Sequence, residues 1–377
     1  MDLLSVITTS APKGMWPTLI FGIESGVKNY AVALILITLA IKFVLLPFDF
    51  FNKYTSKKSA RKQAEMQPEL DKVNKKYAND KTLRDQKTME VYKSHNYNVM
   101  GTCLGMLVYL VLTMVVFWTL FGSLNTISSY KITSQFLSVR EAYYNAYEID
   151  MTHDGEEIEY TTDPAEGEER PKYTLAYNDY LKLSEEEKNA KLEKAKADAL
   201  KTYKDTQESF LWIENIWIAD STANPVMSYK DFISKSSLTG EQISSDEYNL
   251  IMNPIKNNVR KNNGYFILVI LAAGINYLSM AMPGWISKAK AKKQGIDPML
   301  MNNNPKSGKI MQLIMPLIMG LFTLLYNAAF GLYIVAGALV GMATTPLITV
   351  FVNMLEVDAI KKEQNRTTAI YDRKRKK

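Results

Sequence analysis

Ala31 to Pro47, AVALILITLAIKFVLLP, is an almost wholly apolar run of 17 residues interrupted by a single cation, Lys42. As a helix rising ~1.5 Å per residue it extends about 25 Å, near the lower limit for crossing a bilayer. Lys42 lies five residues before Pro47, roughly 8 Å along the axis, inside the end taken as cytoplasmic. An ammonium costs on the order of 2.5–3.5 kcal/mol at mid-membrane, and less nearer the edge. Two arrangements offset that cost. Either the side chain snorkels to the headgroups, or it faces a polar cavity within the membrane.

The slightly negative mean hydropathy is an average over two kinds of segment. Apolar residues concentrate in five windows and charge fills the stretches between them, the pattern of an integral membrane protein with sizeable aqueous parts. The single cysteine, Cys103, falls inside an apolar window and is read as a packing residue. His95 and His153 sit in polar segments without the companions a metal site needs. No cofactor is expected. Residues 1–28 lack a basic n-region and a separate apolar h-region, so the first span is expected to stay in the mature chain.

Met15 to Lys28 carries Trp16, Leu19, Ile20, Ile23 and Val27 at helical spacing, which fits an interfacial helix or the start of the first span. After Pro47 the chain turns basic to about Asn98, with twelve Lys or Arg, among them Lys53, Lys57, Lys58, Arg61 and Lys62. Such a loop marks the cytoplasmic side. Met66, Leu70, Val73 and Tyr77, then a turn at Ala78-Asn79-Asp80, predict two antiparallel helices, functional or a solvated spacer. The second span is Thr102 to Phe121, where Thr102, Tyr109 and Thr113 are polar insertions.

From Gly122 to Asn263 there are 25 acidic against 16 basic residues, an asymmetry that places the region outside. Asp154 to Arg170 reads as a disordered acidic loop between helical stretches at Ile127–Tyr147 and Ser184–Phe210. The second of these opens on a Ser184–Glu187 capping box. Phe210 to Trp217 is an aromatic patch suited to lying on the membrane face. Tyr265 to Met282 is the third span, with Asn276 inside it, and a second basic loop follows. Ile310 to Val352 is apolar for long enough to cross twice, turning at Tyr326-Asn327. The closing Arg373, Lys374, Arg375, Lys376 and Lys377 put the C-terminus inside.

The expected architecture is an all-α polytopic membrane protein: a five-transmembrane-helix bundle with a cytoplasmic helical hairpin and an extracytoplasmic, mostly helical insertion. Its parts are an outer interfacial helix (1–28), span one (29–48), the cytoplasmic hairpin (49–99) and span two (100–121). The outer insertion (122–263), span three (264–283), a cytoplasmic loop (284–309), span four (310–329), span five (331–354) and a basic tail (355–377) follow. The N-terminus lies outside and the C-terminus in the cytoplasm of a bacterial cell.

This arrangement resembles the YidC/Oxa/Alb family of membrane protein insertases. ILITLAIKFVLLP is similar to the family's first core span, with Lys42 where the usual residue is Arg. MQPELDKVNKKYANDKTLRDQKTMEVYKSHNYNVMG resembles its cytoplasmic hairpin, and SFLWIENIWIADS the segment before its third core span. IMPLIMGLFTLLYNAAFGLYI resembles its fourth-span entry, with Gly331, Leu332 and Tyr333 retained. Gly105, Tyr109 and Val111 stand where the family often has Pro, Gln and Pro, and Ile334 replaces a frequent Trp.

The resemblance implies a non-enzymatic insertase and chaperone with a hydrophilic groove, open to cytosol and lipid, that bears Lys42 and needs no cofactor. Thr38, Thr102, Tyr109, Thr113, Asn276, Tyr326 and Tyr333 are its candidate lining. The basic hairpin residues and the Arg373–Lys377 tail are candidate contacts for substrate or ribosome. Nascent membrane proteins are the implied partners, with the Sec translocon and ribosome as further candidates, lipids as surroundings and no DNA. A solute transporter would also use an intramembrane cation, but there is no internal repeat and no paired intramembrane carboxylate. A membrane-anchored receptor or adhesion protein would instead act through the outer insertion. The chain has no GxxxxGK[ST] loop, and the spans show no nucleophile–base pair.

Overall fold

Runs of apolar residues this long leave the backbone only itself to hydrogen-bond with, and helices are what form. The computed structural model describes residues 8–147, 182–239, 243–293 and 306–375. Among them the elements are helices α1 (Met15–Val27), α2 (Tyr30–Lys76), α3 (Lys81–Ser94), α4 (Val99–Tyr147), α5 (Glu185–Thr206), α6 (Tyr229–Lys235), α7 (Ser245–Asn258), α8 (Ile267–Lys293), α9 (Lys306–Leu325) and α10 (Ala328–Arg375). Four of them contain stretches long and apolar enough to cross a membrane: Tyr30–Lys76, Leu107–Ala146, Ile267–Ile286 and Ala328–Leu355. Ile310–Leu325 is apolar but shorter. The chain is an all-α polytopic membrane protein.

The helices run further than the changes in composition indicate. α2 continues through Pro47 and Pro68, so the first apolar run and the first arm of the basic hairpin are one rod of 47 residues. α4 likewise carries the second apolar run on through Tyr147, and α10 extends to Arg375. A change from apolar to charged residues alters what surrounds a helix without supplying a stop signal. The breaks that do occur have local causes. Asp80 caps α3 by accepting the Leu83 N–H, and Asn327 accepts the Phe330 N–H at 3.0 Å, starting α10 with only two residues between it and α9.

The chain divides into two compact units. The first comprises Met1–Leu34, Leu120–Val269 and Thr323–Gly331; the second comprises Ile35–Thr119, Ile270–Phe322 and Leu332–Lys377.

In the first unit, α5 is rich in Lys and Glu, but Ala195, Ala199 and Tyr203 recur every four residues and are fully buried. Its start is fixed by the Ser184–Glu187 capping box. Phe136, Phe232 and Tyr248 pack with centroids 4.7–5.1 Å apart, and the Tyr203 hydroxyl donates to the Pro225 carbonyl at 2.9 Å. Beside this core Arg140 Nε donates to Glu247 at 2.6 Å, with its guanidinium 5.2 Å from the Tyr144 ring. The acidic loop at 154–170 lies outside the described residues.

Apolar side chains of the Phe210–Trp217 segment, expected on the surface, are packed inside the first unit. Ile213, Ile216 and Trp217 are buried, and Trp217 packs on Tyr30 at 4.6 Å; Leu211 alone among its large aliphatic residues is strongly exposed. Backbone pairing holds it inward. Phe210 and Ile213 exchange both hydrogen bonds, and the Ala328 and Ala329 N–H groups donate to Ile218 and Ile216. The Asn263 side chain accepts the Asn215 N–H and donates to the Asn215 carbonyl. Asp220 then reaches the start of α8, accepting the Leu268 N–H at 3.1 Å.

Candidate functional site

Outside the basic hairpin, the second unit presents apolar faces. Leu107, Val108, Leu110, Val111, Met114 and Val115 of α4 are all about half exposed, as are Leu313, Leu317 and Leu321 of α9. On a soluble protein such a surface would aggregate; facing lipid it is at rest. Away from those faces, polar side chains line a pocket of about 540 Å³.

The α2 wall of that pocket is Lys42, Leu46, Asp49, Asn52, Lys53 and Ser56. Lys42, Leu46, Asp49, Lys53 and Ser56 are spaced by four, three, four and three residues, which keeps them on one helix face. Phe43 and Val44, adjacent to Lys42 in sequence, point the other way and are 66 % and 70 % exposed. α4 adds Tyr109, α8 adds Asn276 and Ser279, and α10 adds Tyr333, Gly337, Gly341, Thr344 and Thr345.

Gly337 lets α10 approach the cation closely. A Cβ there would lie 3.5 Å from Lys42 Cε and 3.9 Å from Thr38 Cγ2. Gly341 is similar, with Ser279 Oγ at 3.1 Å from a Cβ position. The Tyr109 hydroxyl donates to Asp49 Oδ1. The three charged lining residues therefore all stand on α2, in the order cation, anion, cation.

Of the residues singled out from the sequence, Lys42, Tyr109, Asn276 and Tyr333 come together in this pocket. Thr38 is buried one turn before Lys42, next to α10. The Thr113 hydroxyl donates to the backbone carbonyls of Tyr109 and Leu110, as helix threonines commonly do. Tyr326 belongs to the first unit, its ring packed edge-on to Phe121 at 5.1 Å and tilted against Phe330 at 5.3 Å. The Thr102 side chain lies outside the described residues. Asp49 is not marked by the composition and Lys53 counts there only as one cation of the basic segment, although the spacing from Lys42 marks both.

The basic hairpin has its own internal ties. Tyr97 binds Ser59 at 2.7 Å and accepts from Gln63 at 2.8 Å. Lys62 donates to the Asn96 carbonyl, Arg61 faces Glu65 at 3.7 Å, Lys57 has interactions within the fold, and Lys58 is exposed. Arg373, Lys374 and Arg375 are on the last turns of α10, with side chains outside the described set, as are Lys376 and Lys377 altogether. Among the described residues no group of His, Cys, Asp or Glu is arranged to hold a metal.

In the first unit Lys131 is shared by Glu24 and Glu208. Burial pushes the Glu208 carboxyl above the usual carboxylate range; Lys131 opposes that rise and Glu24 adds to it. Asp220 is raised in the same way by burial, opposed by the Leu268 N–H and the Trp212 indole.

The fold and pocket together define a multi-pass membrane protein with a charged recess set in an apolar exterior. Residues 22–153 match the family model described as 60Kd inner membrane protein. Three curated relatives, each named membrane protein insertase YidC, give the scale of the likeness. The chain is 39 % identical to that of Fusobacterium nucleatum over 97 residues, covering 26 % of this chain and 45 % of the relative. It is 42 % identical to that of Clostridium tetani over 79 residues (21 % and 34 %), and 31 % identical to that of Methylobacillus flagellatus over 139 residues (37 % and 24 %). The aligned part is thus less than half the length of each of these relatives. No solved structure matches the chain significantly. The resemblance to the YidC/Oxa/Alb family read from the residues is matched by these comparisons.

Proposed function

We propose that the chain is a membrane protein insertase whose working site is the pocket around Lys42. The observation that carries this reading is an inverted polarity in the apolar part of the second unit, with lipid-compatible side chains of α4 and α9 outside and Lys42, Asp49, Lys53, Tyr109 and Asn276 around a cavity large enough for water. The family likeness over residues 22–153 supports it.

The physical logic is that a nascent span with a polar flank crosses apolar lipid only at a cost of several kcal/mol per unsatisfied group. A wet recess within the membrane shortens the apolar path. Lys42 attracts an acidic group on the flank, by about 4 kcal/mol at 4 Å for the effective dielectric near a protein surface. The substrate's own apolar helix then moves sideways into lipid, driven by its transfer energy of about 25 cal/mol per Å². No bond is made or broken, so neither catalytic residue nor cofactor is required.

In this reading the four long helices and Ile310–Leu325 supply five spans, with the N-terminus outside and the C-terminus in the cytoplasm of a bacterial plasma membrane. The groove opens to cytosol and lipid. The basic face of the α2–α3 hairpin and the Arg373–Lys377 tail meet the substrate as it emerges from the ribosome, alone or beside the Sec translocon. Thr38, Tyr109, Asn276 and Tyr333 shape the recess.

The test is insertion of a single-span substrate with a short acidic flank in cells depleted of their own insertase. Lys42→Ala and Lys42→Glu should insert it poorly and Lys42→Arg should insert it well. Wild-type levels from both Ala and Glu variants would overturn the role of the cation.

A further inference from the structure

The Lys42 pocket contains a carboxylate that the attraction of acidic flanks does not explain. Asp49 lies on the same α2 face as both lysines, about 10 Å along the axis from Lys42 and about 6 Å from Lys53. It is held in place, because the Tyr109 hydroxyl donates to Oδ1 across from α4. The lining from α8 and α10 is neutral: Asn276, Ser279, Tyr333 and Thr344 among the described residues. The electrostatics of the recess are thus set by α2 alone, and Asp49 is its single described anion.

We propose that Asp49 is the charge-selectivity determinant of this pocket. It lowers the net formal charge of the α2 stripe from two to one, and it gives a basic side chain on a substrate flank a fixed counter-ion between the two lysines. The substrate class follows: spans whose translocated flanks carry acidic, neutral or basic residues, rather than acidic flanks alone. Tyr109 is a positioning residue. Its hydroxyl keeps the carboxylate from folding onto Lys53, one helical turn away, where the two charges would cancel and leave Lys42 dominant. This proposal rests on the insertase reading.

The experiment uses the full chain in phosphatidylcholine–phosphatidylglycerol vesicles and one single-span test protein made with two Asp, two Asn or two Lys in its short translocated flank. The readout is the ratio of protease-protected Asp-flank to Lys-flank product. Asp49→Asn should raise that ratio about tenfold, equivalent to ~1.4 kcal/mol, chiefly by loss of the Lys-flank product. Tyr109→Phe should move it the same way by less, and Asp49→Glu should restore it.

Lys53→Gln removes the neighbouring cation and should lower the ratio below wild type; it carries the test if Asp49→Asn does not fold. If the wild type inserts all three flanks but a folded Asp49→Asn does not shift the ratio, or if, where that variant does not fold, Lys53→Gln does not, Asp49 has no such role and the insertase reading stands. A folded wild type that inserts none of the three flanks would remove that reading and the proposal with it.

Discussion

Glu247→Ala is the most demanding test of how the first unit is held together. The Arg140 side chain is 3 % exposed and that of Glu247 18 %. The guanidinium meets Glu247 at 2.6 Å and the Tyr144 ring at 5.2 Å, while the Tyr144 hydroxyl donates to the same Glu247 oxygen at 3.0 Å. Truncating Glu247 leaves a buried cation facing an aromatic ring and a phenol without its acceptor. Removing one partner of a buried pair costs about 3–5 kcal/mol, which for a unit of this size lowers the melting temperature by roughly 6–20 °C. The assay is thermal unfolding of the purified full chain, followed by tryptophan fluorescence, since Trp217 is buried in this unit. Arg140→Met combined with Glu247→Met should recover most of the loss, because replacing a buried pair by apolar groups is often close to neutral. A loss from Glu247→Ala under ~1 kcal/mol, the value of an exposed pair, would refute the reasoning.

Two further outcomes follow from the same unit. Gly264→Ala places a Cβ 1.8 Å from Asp220 Oδ1 and 3.3 Å from its Cα, so Asp220 must leave the start of α8. A destabilisation of about 3 kcal/mol is expected from overpacking and the lost charged hydrogen bond, and a variant as stable as wild type would show that the close approach is not real. The Glu208 carboxyl is raised on folding, chiefly by burial, so the stability it adds is present below its unfolded value and is lost as pH rises through its folded one. Melting curves from pH 4 to 7 should therefore be flatter for Glu208→Gln than for wild type, and parallel curves would contradict the assignment.

Much of this architecture is legible in the residues. Apolar length marks the spans, Asp80 and the Ser184–Glu187 pair mark helix starts, and Asn327 marks the break before α10. Helix ends are not legible where composition changes without a stop signal. Pro47 reads as the end of the first span, yet α2 passes through it, because packing and the remaining ladder absorb the missing donor. The Phe210–Trp217 segment reads as a surface patch for a similar reason. Its apolar side chains do not reveal that Asn263, Ala328 and Ala329, distant in sequence, supply the hydrogen bonds that bury it.

The pocket was half visible. Lys42 stands out because a cation in an apolar run is costly. Asp49 and Lys53 do not, because they follow Pro47, where charge looks ordinary; only their register with Lys42 sets them apart. Tyr326 illustrates the opposite error, a polar residue near an apolar run whose ring is satisfied by Phe121 and Phe330.

The central claim is that the face of α2 bearing Lys42 is wet while the opposite face meets lipid. It is tested by placing single cysteines at Lys42 and at Val44 in a Cys103→Ser background and labelling with a membrane-impermeant thiol reagent from the cytoplasmic side. Lys42→Cys should react readily and Val44→Cys, on the 70 % exposed apolar exterior, should stay unlabelled. Equal labelling at both positions, or silence at position 42, would contradict the account.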